Sequence, residues 1–359
     1  MNPIRILVDS FADANECNSQ MVNGREIVSR LDAERFHVSM FLCGEPDRRL
    51  AQRPNTRFIH LAPHGQTVRI LREFIGGPHQ LIFYIKSSPA ALLYLALRPK
   101  WLDKRMVIGT IESQSDLYNE STIKVAQIRL WERTILRSDV LFSNSASVRA
   151  SLEKEYGLPS EVIPTGVDTK FFTPDWQRPA NQRLRVLFVG SLRPFKGPQL
   201  LLRAAAMFPE ADFMIVGDGQ MASELKDQID REHMTNCELV GSLSHSDLPQ
   251  QYRKADIFFF PSHWEGSPKV ILEAAACGLP VIARGDYGPE TVVDGQTGYL
   301  GRSDEELLER LGHLLGKSDL RRNMGRASRA LSERFDWSAI VPLWEEAFAR
   351  EATRQGHRS

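Results

Sequence analysis

The chain has 359 residues, 45 Lys+Arg against 45 Asp+Glu, and 42% apolar residues. That length exceeds one ordinary core and suits two domains of about 170 residues each. The zero formal charge argues against nucleic acid as the main partner. Cys17, Cys43, Cys237 and Cys277 form no CxxC pair and lie near no His at ligand spacing, so they read as reduced thiols of a cytosolic protein.

The opening apolar run, residues 4–8, is too short for a signal peptide and predicts a buried strand. A polar loop over 11–20 leads into a helical pattern carrying Met21, Val22, Ile27, Val28 and Leu31. Further strands are expected over 36–42, 81–85, 106–111 and 140–143. A helix is expected over 89–97, with Ser88 as N-cap and Pro89 at its first position. The longest apolar stretch, 81–97, is broken by Lys86-Ser87-Ser88-Pro89 and so predicts strand then helix rather than a membrane span. A linker rich in Pro, Asp and Thr runs over 166–183.

The pattern then restarts, with strands over 185–189, 212–216, 237–240, 256–260 and 280–283. Helices are expected between them over 198–207, 221–231, 247–254 and 268–277. Three more close the chain, over 304–315, 319–334 and 338–350. Short apolar strands alternating with helices imply parallel sheets covered on both faces. The expected class is α/β, with two Rossmann-like doubly wound sheets and a cleft between them. The expected division is a first domain over 1–167, a second over 168–337, and a terminal helix over 338–359 returning to the first domain.

Two loops carry the chemistry. Gly190-Ser191-Leu192-Arg193-Pro194-Phe195-Lys196-Gly197-Pro198 follows a strand, and Pro198 is placed to start a helix whose amino end faces the loop. Such an end favours an anion, and Lys196 and Arg193 add full charges, so a diphosphate suits the loop. The plainer reading is a connecting loop with solvated charges. The second loop, Pro261-Ser262-His263-Trp264-Glu265-Gly266-Ser267-Pro268, places Glu265 at a strand's carboxyl end, Ser267 as N-cap and Pro268 as first helical residue. Glu273 falls about two turns into that helix, and Ala274-Ala275-Ala276-Cys277-Gly278 follows. Two such carboxylates can each accept pairs of hydroxyl hydrogen bonds; two surface glutamates are the plainer reading. Val216-Gly217-Asp218-Gly219 lacks a third glycine at the dinucleotide spacing and reads first as a turn. The segment from Gly288-Pro289-Glu290 to Thr297-Gly298-Tyr299 reads as a glycine-punctuated loop.

Together these segments resemble the retaining glycosyltransferases of family 4, whose two-domain fold is called GT-B. The resemblance is strongest over 162–300 and includes Ile163-Pro164-Thr165-Gly166-Val167-Asp168 with Phe172. It implies that Lys196 holds a donor diphosphate, Glu273 the ribose hydroxyls and Glu265 the sugar hydroxyls. It also implies that Gly190, Ser191, Gly217 and the backbone of Gly266, Ser267 and Lys269 line the donor, with the base near Val240 and Gly241. It further implies retention of anomeric configuration, a nucleotide-diphosphate-sugar as co-substrate, a hydroxyl acceptor, and no cofactor or essential metal.

The chain departs from the family at three places. Ser191 stands where Arg is usual, and Arg193 is expected to supply the charge. Asn18-Ser19 stands where the first loop is often Gly-Gly. Glu112, in Gly109-Thr110-Ile111-Glu112-Ser113, stands where His is frequent, and is read either as an acceptor-side ligand or as a surface residue. Arg98-Pro99-Lys100-Trp101 with Lys104-Arg105 is read either as a solvated loop or as contact with an anionic inner membrane face by a cytoplasmic enzyme. Rival functions are a nucleotide-sugar 2-epimerase and a non-catalytic sugar-nucleotide-binding protein. The sequence leaves the oligomeric state unknown.

Overall fold

The computed structural model describes residues 2–14, 19–83, 88–98, 103, 105–112 and 135–357, with 19, 20, 356 and 357 described by backbone alone. The chain divides into two compact units: Met1–Pro164 with Trp337–Ser359, and Thr165–Asp336.

In the first unit the described strands are β1 (Ile4–Phe11), β2 (Phe36–Leu42), β3 (Thr56–His60), β4 (Leu81–Phe83), β5 (Met106–Ile111), β6 (Val140–Ser143) and β7 (Glu161–Val162). They form one sheet in the order β3-β2-β1-β4-β5-β6-β7, all pairs parallel. Successive side chains of a strand face opposite ways. Ile6 and Val8 therefore enter one core with Val38 and Phe83, while Leu7 enters another with Phe41 and Val107. The helices are α1 (Ser19–Arg30), α2 (Arg48–Gln52), α3 (Gln66–Gly76), α4 (Pro89–Leu97), α5 (Ala146–Tyr156) and, from the far end of the chain, α12 (Trp337–His357). Ser88 caps α4 as expected, its Oγ accepting from Ala91 N at 3.1 Å. Helix α12 is held here by its aromatic face: Phe348 meets Phe83 at 4.7 Å between ring centroids, and Trp344 meets Phe142 at 5.1 Å.

The second unit holds β8 (Arg185–Val189), β9 (Asp212–Val216), β10 (Cys237–Gly241), β11 (Ile257–Phe260), β12 (Val281–Arg284) and β13 (Gly298–Gly301), in the order β10-β9-β8-β11-β12-β13, again parallel. Its helices are α6 (Gln199–Met207), α7 (Ala222–Arg231), α8 (Leu248–Lys254), α9 (Lys269–Ala276), α10 (Asp304–Leu315) and α11 (Ser318–Glu333). The strand order reverses at β8, which lies between β9 and β11. Loops leaving the carboxyl ends of two strands at such a reversal splay apart and leave a crevice, the usual ligand position in this architecture. The loops that leave β8 and β11 are the two that the sequence singles out.

Four local expectations are corrected. β3 and β13 are strands that the sequence reading left as connections. Helix α12 starts at Trp337 and continues to His357, beyond the expected 338–350. Pro268, in extended backbone, occupies the N-cap position of α9 with no side-chain cap, so Ser267 is not the cap. Glu273 is then the fifth residue of α9, a little over one turn in rather than two.

Candidate functional site

The first loop is built against its neighbours by backbone. Gly190 N donates to Val216 O at 3.0 Å, and Gly217 N to Gly241 O at 2.9 Å, so the ends of β8, β9 and β10 are tied in sequence. Gly217 has φ +146°, and a Cβ there would lie 1.9 Å from the Gly190 carbonyl oxygen. Only glycine permits that approach. The glycines of the Val216-Gly217-Asp218-Gly219 turn thus serve loop-on-loop packing against Gly190–Leu192. Val240 and Gly241 stand half-buried at the next strand end, and Ser191 is half-buried in the loop itself.

After Arg193 the chain makes a 3-10 turn, Pro194–Lys196, and Gly197 follows at φ +67°, packed on the Pro261 carbonyl. This turn was not expected from the sequence, and it changes the amino end of α6. Leu200 N and Leu201 N bond back to Gly197 O and Pro198 O at 3.0 and 3.1 Å, so two of the amides expected to face an anion are already used. The charge in the loop comes instead from side chains.

The turn also delivers Lys196 to the second loop. Lys196 Nζ pairs with Glu265 Oε1, and Ser262 Oγ donates to the same oxygen at 2.6 Å. The ammonium stands 5.3 Å from the ring centres of Phe195 and Phe260. Both side chains of the pair are mostly buried, Lys196 17% and Glu265 13% exposed, so the charges interact with little screening by solvent. His263 N donates to Phe195 O at 2.8 Å and locks one loop to the other. Burial and the nearby Arg284 guanidinium hold the His263 imidazole below its usual range, which favours a neutral ring. Arg193 is exposed and has no ion pair among the described residues. Gly266 is buried, while Ser267 and Lys269 are half-buried where α9 begins.

Glu273 has a different partner. It is 6% exposed, and Tyr252 Oη donates to its Oε2 at 2.9 Å from α8. Burial, with Glu273 beside it, pushes the Tyr252 phenol well above its ordinary range, so Tyr252 stays a donor. The structure thus brings Lys196 and Glu265 into contact and anchors Glu273 separately on Tyr252. Tyr287, fully buried, has its hydroxyl unbonded among the described residues. Burial and then the charge of Glu265 push its pKa well above the ordinary phenol range, so the hydroxyl stays protonated.

In the first unit, Glu112 follows β5 directly. Asn23 Nδ2 of α1 donates to Glu112 Oε1 at 3.1 Å, and Asn144 Nδ2, just past β6, donates to the Glu112 carbonyl oxygen at 3.1 Å. Asn23 and Asn144 are buried, and their Oδ1 atoms have no hydrogen-bond partner among the described residues. Ser19 opens α1. Asn18 lies outside the described residues, as do Pro99 to Leu102 and Lys104 of the basic stretch. Sequence reasoning missed Ser262, Tyr252, Asn23 and Asn144. The available signal was position: Ser262 and Asn144 each follow a strand's carboxyl end by one or two residues.

Residues 172–331 match the family described as glycosyl transferases group 1, and residues 25–171 match glycosyltransferase family 4. A D-inositol 3-phosphate glycosyltransferase of Corynebacterium jeikeium is 30% identical over 77% of this chain and 72% of that protein. This chain belongs to glycosyltransferase family 4. Spore coat protein SA of Bacillus subtilis is 27% identical over 88% of this chain and 90% of that protein. Among solved structures, sucrose-phosphate synthase of Thermosynechococcus elongatus superposes with a TM-score of 0.82 at 20% identity, covering 97% of this chain and 98% of that one. Anabaena HepE, solved in complex with UDP-glucose, superposes with a TM-score of 0.78 at 19% identity, covering 97% and 100%. The fold of this glycosyltransferase is GT-B, two Rossmann-like parallel-sheet units.

Proposed function

We propose that this glycosyltransferase moves a hexosyl group from a nucleotide-diphosphate-sugar to an acceptor hydroxyl with retention of anomeric configuration and without an essential metal. The observation that carries the reading is the convergence of Lys196 and Glu265 from the loops after β8 and β11, the two strands at the reversal of the second sheet. A diphosphate leaving group gains negative charge as the glycosidic bond breaks. A preplaced cation in a mostly buried loop stabilises that charge with little reorganisation. Lys196 fills this role, with the exposed Arg193 as a second cation one turn away. The donor's phosphate then shares the Lys196 ammonium with Glu265, and the freed carboxylate oxygen is available to the sugar hydroxyls.

Glu273 is assigned to the ribose hydroxyls, with Tyr252 fixing its second oxygen. Val240 and Gly241 flank the base, and Gly190, Ser191, Gly217, Gly266, Ser267 and Lys269 border the rest of the donor. Glu112, gripped by Asn23, is assigned to an acceptor hydroxyl of a glycan, a lipid-linked sugar or a small molecule. The reaction is placed in the cytoplasm, with peripheral contact at the inner membrane face. Among the described residues no helix is long and apolar enough to cross a membrane.

The test is a thermal-shift screen against UDP-, GDP- and ADP-sugars with and without EDTA. A bound donor raises the melting temperature by mass action. The proposal expects one base series to stabilise the protein, with chelator making no difference to binding or to nucleotide release. No shift from any series removes the donor assignment.

A further inference from the structure

Four of the nine large apolar side chains exposed among the described residues sit on two adjacent helices of the first unit: Val68 (72% exposed) and Ile75 (64%) on α3, Leu93 (44%) and Leu97 (76%) on α4. Within each helix the spacing explains the exposure. Val68, Arg72 and Ile75 follow i, i+4, i+7, and Leu93 and Leu97 follow i, i+4, so each set forms one stripe. The opposite faces carry the core residues Ile70, Phe74, Ala91, Tyr94 and Leu95. Helix α4 has no charged residue in its nine positions. A groove of about 590 Å³ runs between the helices, with Leu71, Ile75, Leu93 and Leu97 along its walls and the ion-paired, largely buried Arg98 and Arg105 also lining it.

The charges on and beside these two helices are unbalanced. Glu73 is shared by Arg57 and Arg69. Asp139 is taken by Arg98, and Asp103 by Arg98 and Arg105. Four guanidinium groups thus stand against three carboxylates, and a fifth, Arg72, is exposed in the apolar stripe with no ion pair among the described residues. Apolar side chains flanked by cations suit a surface that is greasy inside and anionic outside. A two-fold contact of this patch with itself would set Arg72 near its own copy, which like-charge repulsion opposes.

We propose that the α3–α4 face docks on an anionic lipid bilayer, with Ile75, Leu93 and Leu97 entering the acyl boundary and Arg72 meeting headgroup phosphates. This deepens the peripheral-contact part of the proposed function and moves it from the basic connection onto the two helices. The experiment contains no sugar nucleotide, so its failure leaves the donor assignment standing, and the donor screen can fail without touching it.

The full chain is floated on sucrose gradients with vesicles of phosphatidylcholine alone and with about a third phosphatidylglycerol, with melting temperature as the folding control. Wild type is expected to float with the anionic vesicles and to stay at the bottom with phosphatidylcholine. Ile75→Gln/Leu97→Gln is expected to lower flotation about tenfold or more, and Arg72→Glu to lower it severalfold, each with an unchanged melting temperature. Leu97→Gln alone, at the most exposed position, serves if the double variant misfolds. Wild type remaining at the bottom of both gradients overturns the proposal. So does equal flotation on both vesicles, or variants that float like wild type. A dimer in sedimentation velocity that these variants dissolve, without vesicle binding, assigns the face to a second copy and also overturns it.

Discussion

Each unit sets a glutamate beyond the carboxyl end of a parallel strand, and the two glutamates are held in opposite ways. Glu265 meets a cation and a hydroxyl, Lys196 and Ser262. The partners of Glu112 include two neutral amides, Asn23 at the carboxylate and Asn144 at the main chain. The first arrangement is an ion pair that an incoming anion can divide. The second includes neutral amide donors whose own Oδ1 atoms have no hydrogen-bond partner among the described residues. Under the proposed function, similar strand-end glutamates would serve a charged donor in one unit and an uncharged hydroxyl in the other, according to what the neighbouring loops supply.

Lys196→Ala sharpens the contrast most. It removes the cation that meets developing charge, and turnover is expected to fall about a hundredfold with the melting temperature kept. Turnover is read as nucleotide release, and wild-type turnover in the folded variant takes the role away from Lys196. Next is Glu273→Ala, expected to raise the donor dissociation constant about tenfold through lost hydroxyl contacts; calorimetry with an unchanged constant removes the ribose assignment. Asn23→Ala is expected to lower transfer to acceptors in a cell extract about fivefold while slow donor hydrolysis and donor binding stay as in wild type. Should Asn23→Ala weaken donor binding as much as a second-unit variant does, the division of labour between the two glutamates fails. Smallest is Tyr252→Phe, which strips the buried Glu273 carboxylate of a donor. It is expected to cost about 1 kcal/mol in a denaturant melt, with turnover reduced less than by Glu273→Ala.

Much of this was legible in the chain. The strands over 36–42, 106–111, 140–143, 185–189 and 212–216 have the expected bounds because each is an apolar run closed by polar residues. The cap of α4 follows from Ser-Pro at its start. β3 escaped because its Arg57 and His60 face outward at the sheet edge and dilute the apolar signal. β13 escaped for the reverse reason. Gly298 looks like a turn residue, yet a Cβ there would strike the Val281 carbonyl at 1.8 Å, so the glycine marks close strand packing. Helix α12 outran its apolar pattern because its last two turns are polar, with Glu351 buried between Arg350 and Arg354.

The site divided along the same line. Lys196, Glu265 and Glu273 stand in local motifs and were legible. Their partners were not, because topology chooses them. Tyr252 lies 21 residues from Glu273, and Asn23 lies 89 from Glu112. The 3-10 turn at Pro194–Lys196 also escaped, since a proline there is as consistent with a simple loop.

The central claim is that Lys196, paired with Glu265, grips the donor's diphosphate. Calorimetric titration tests it most directly, using the preferred nucleoside diphosphate and its bare nucleoside against wild type and Lys196→Ala. The account predicts that the variant binds the diphosphate about tenfold or more weakly and the nucleoside as wild type does. Equal affinity of both proteins for the diphosphate would contradict it.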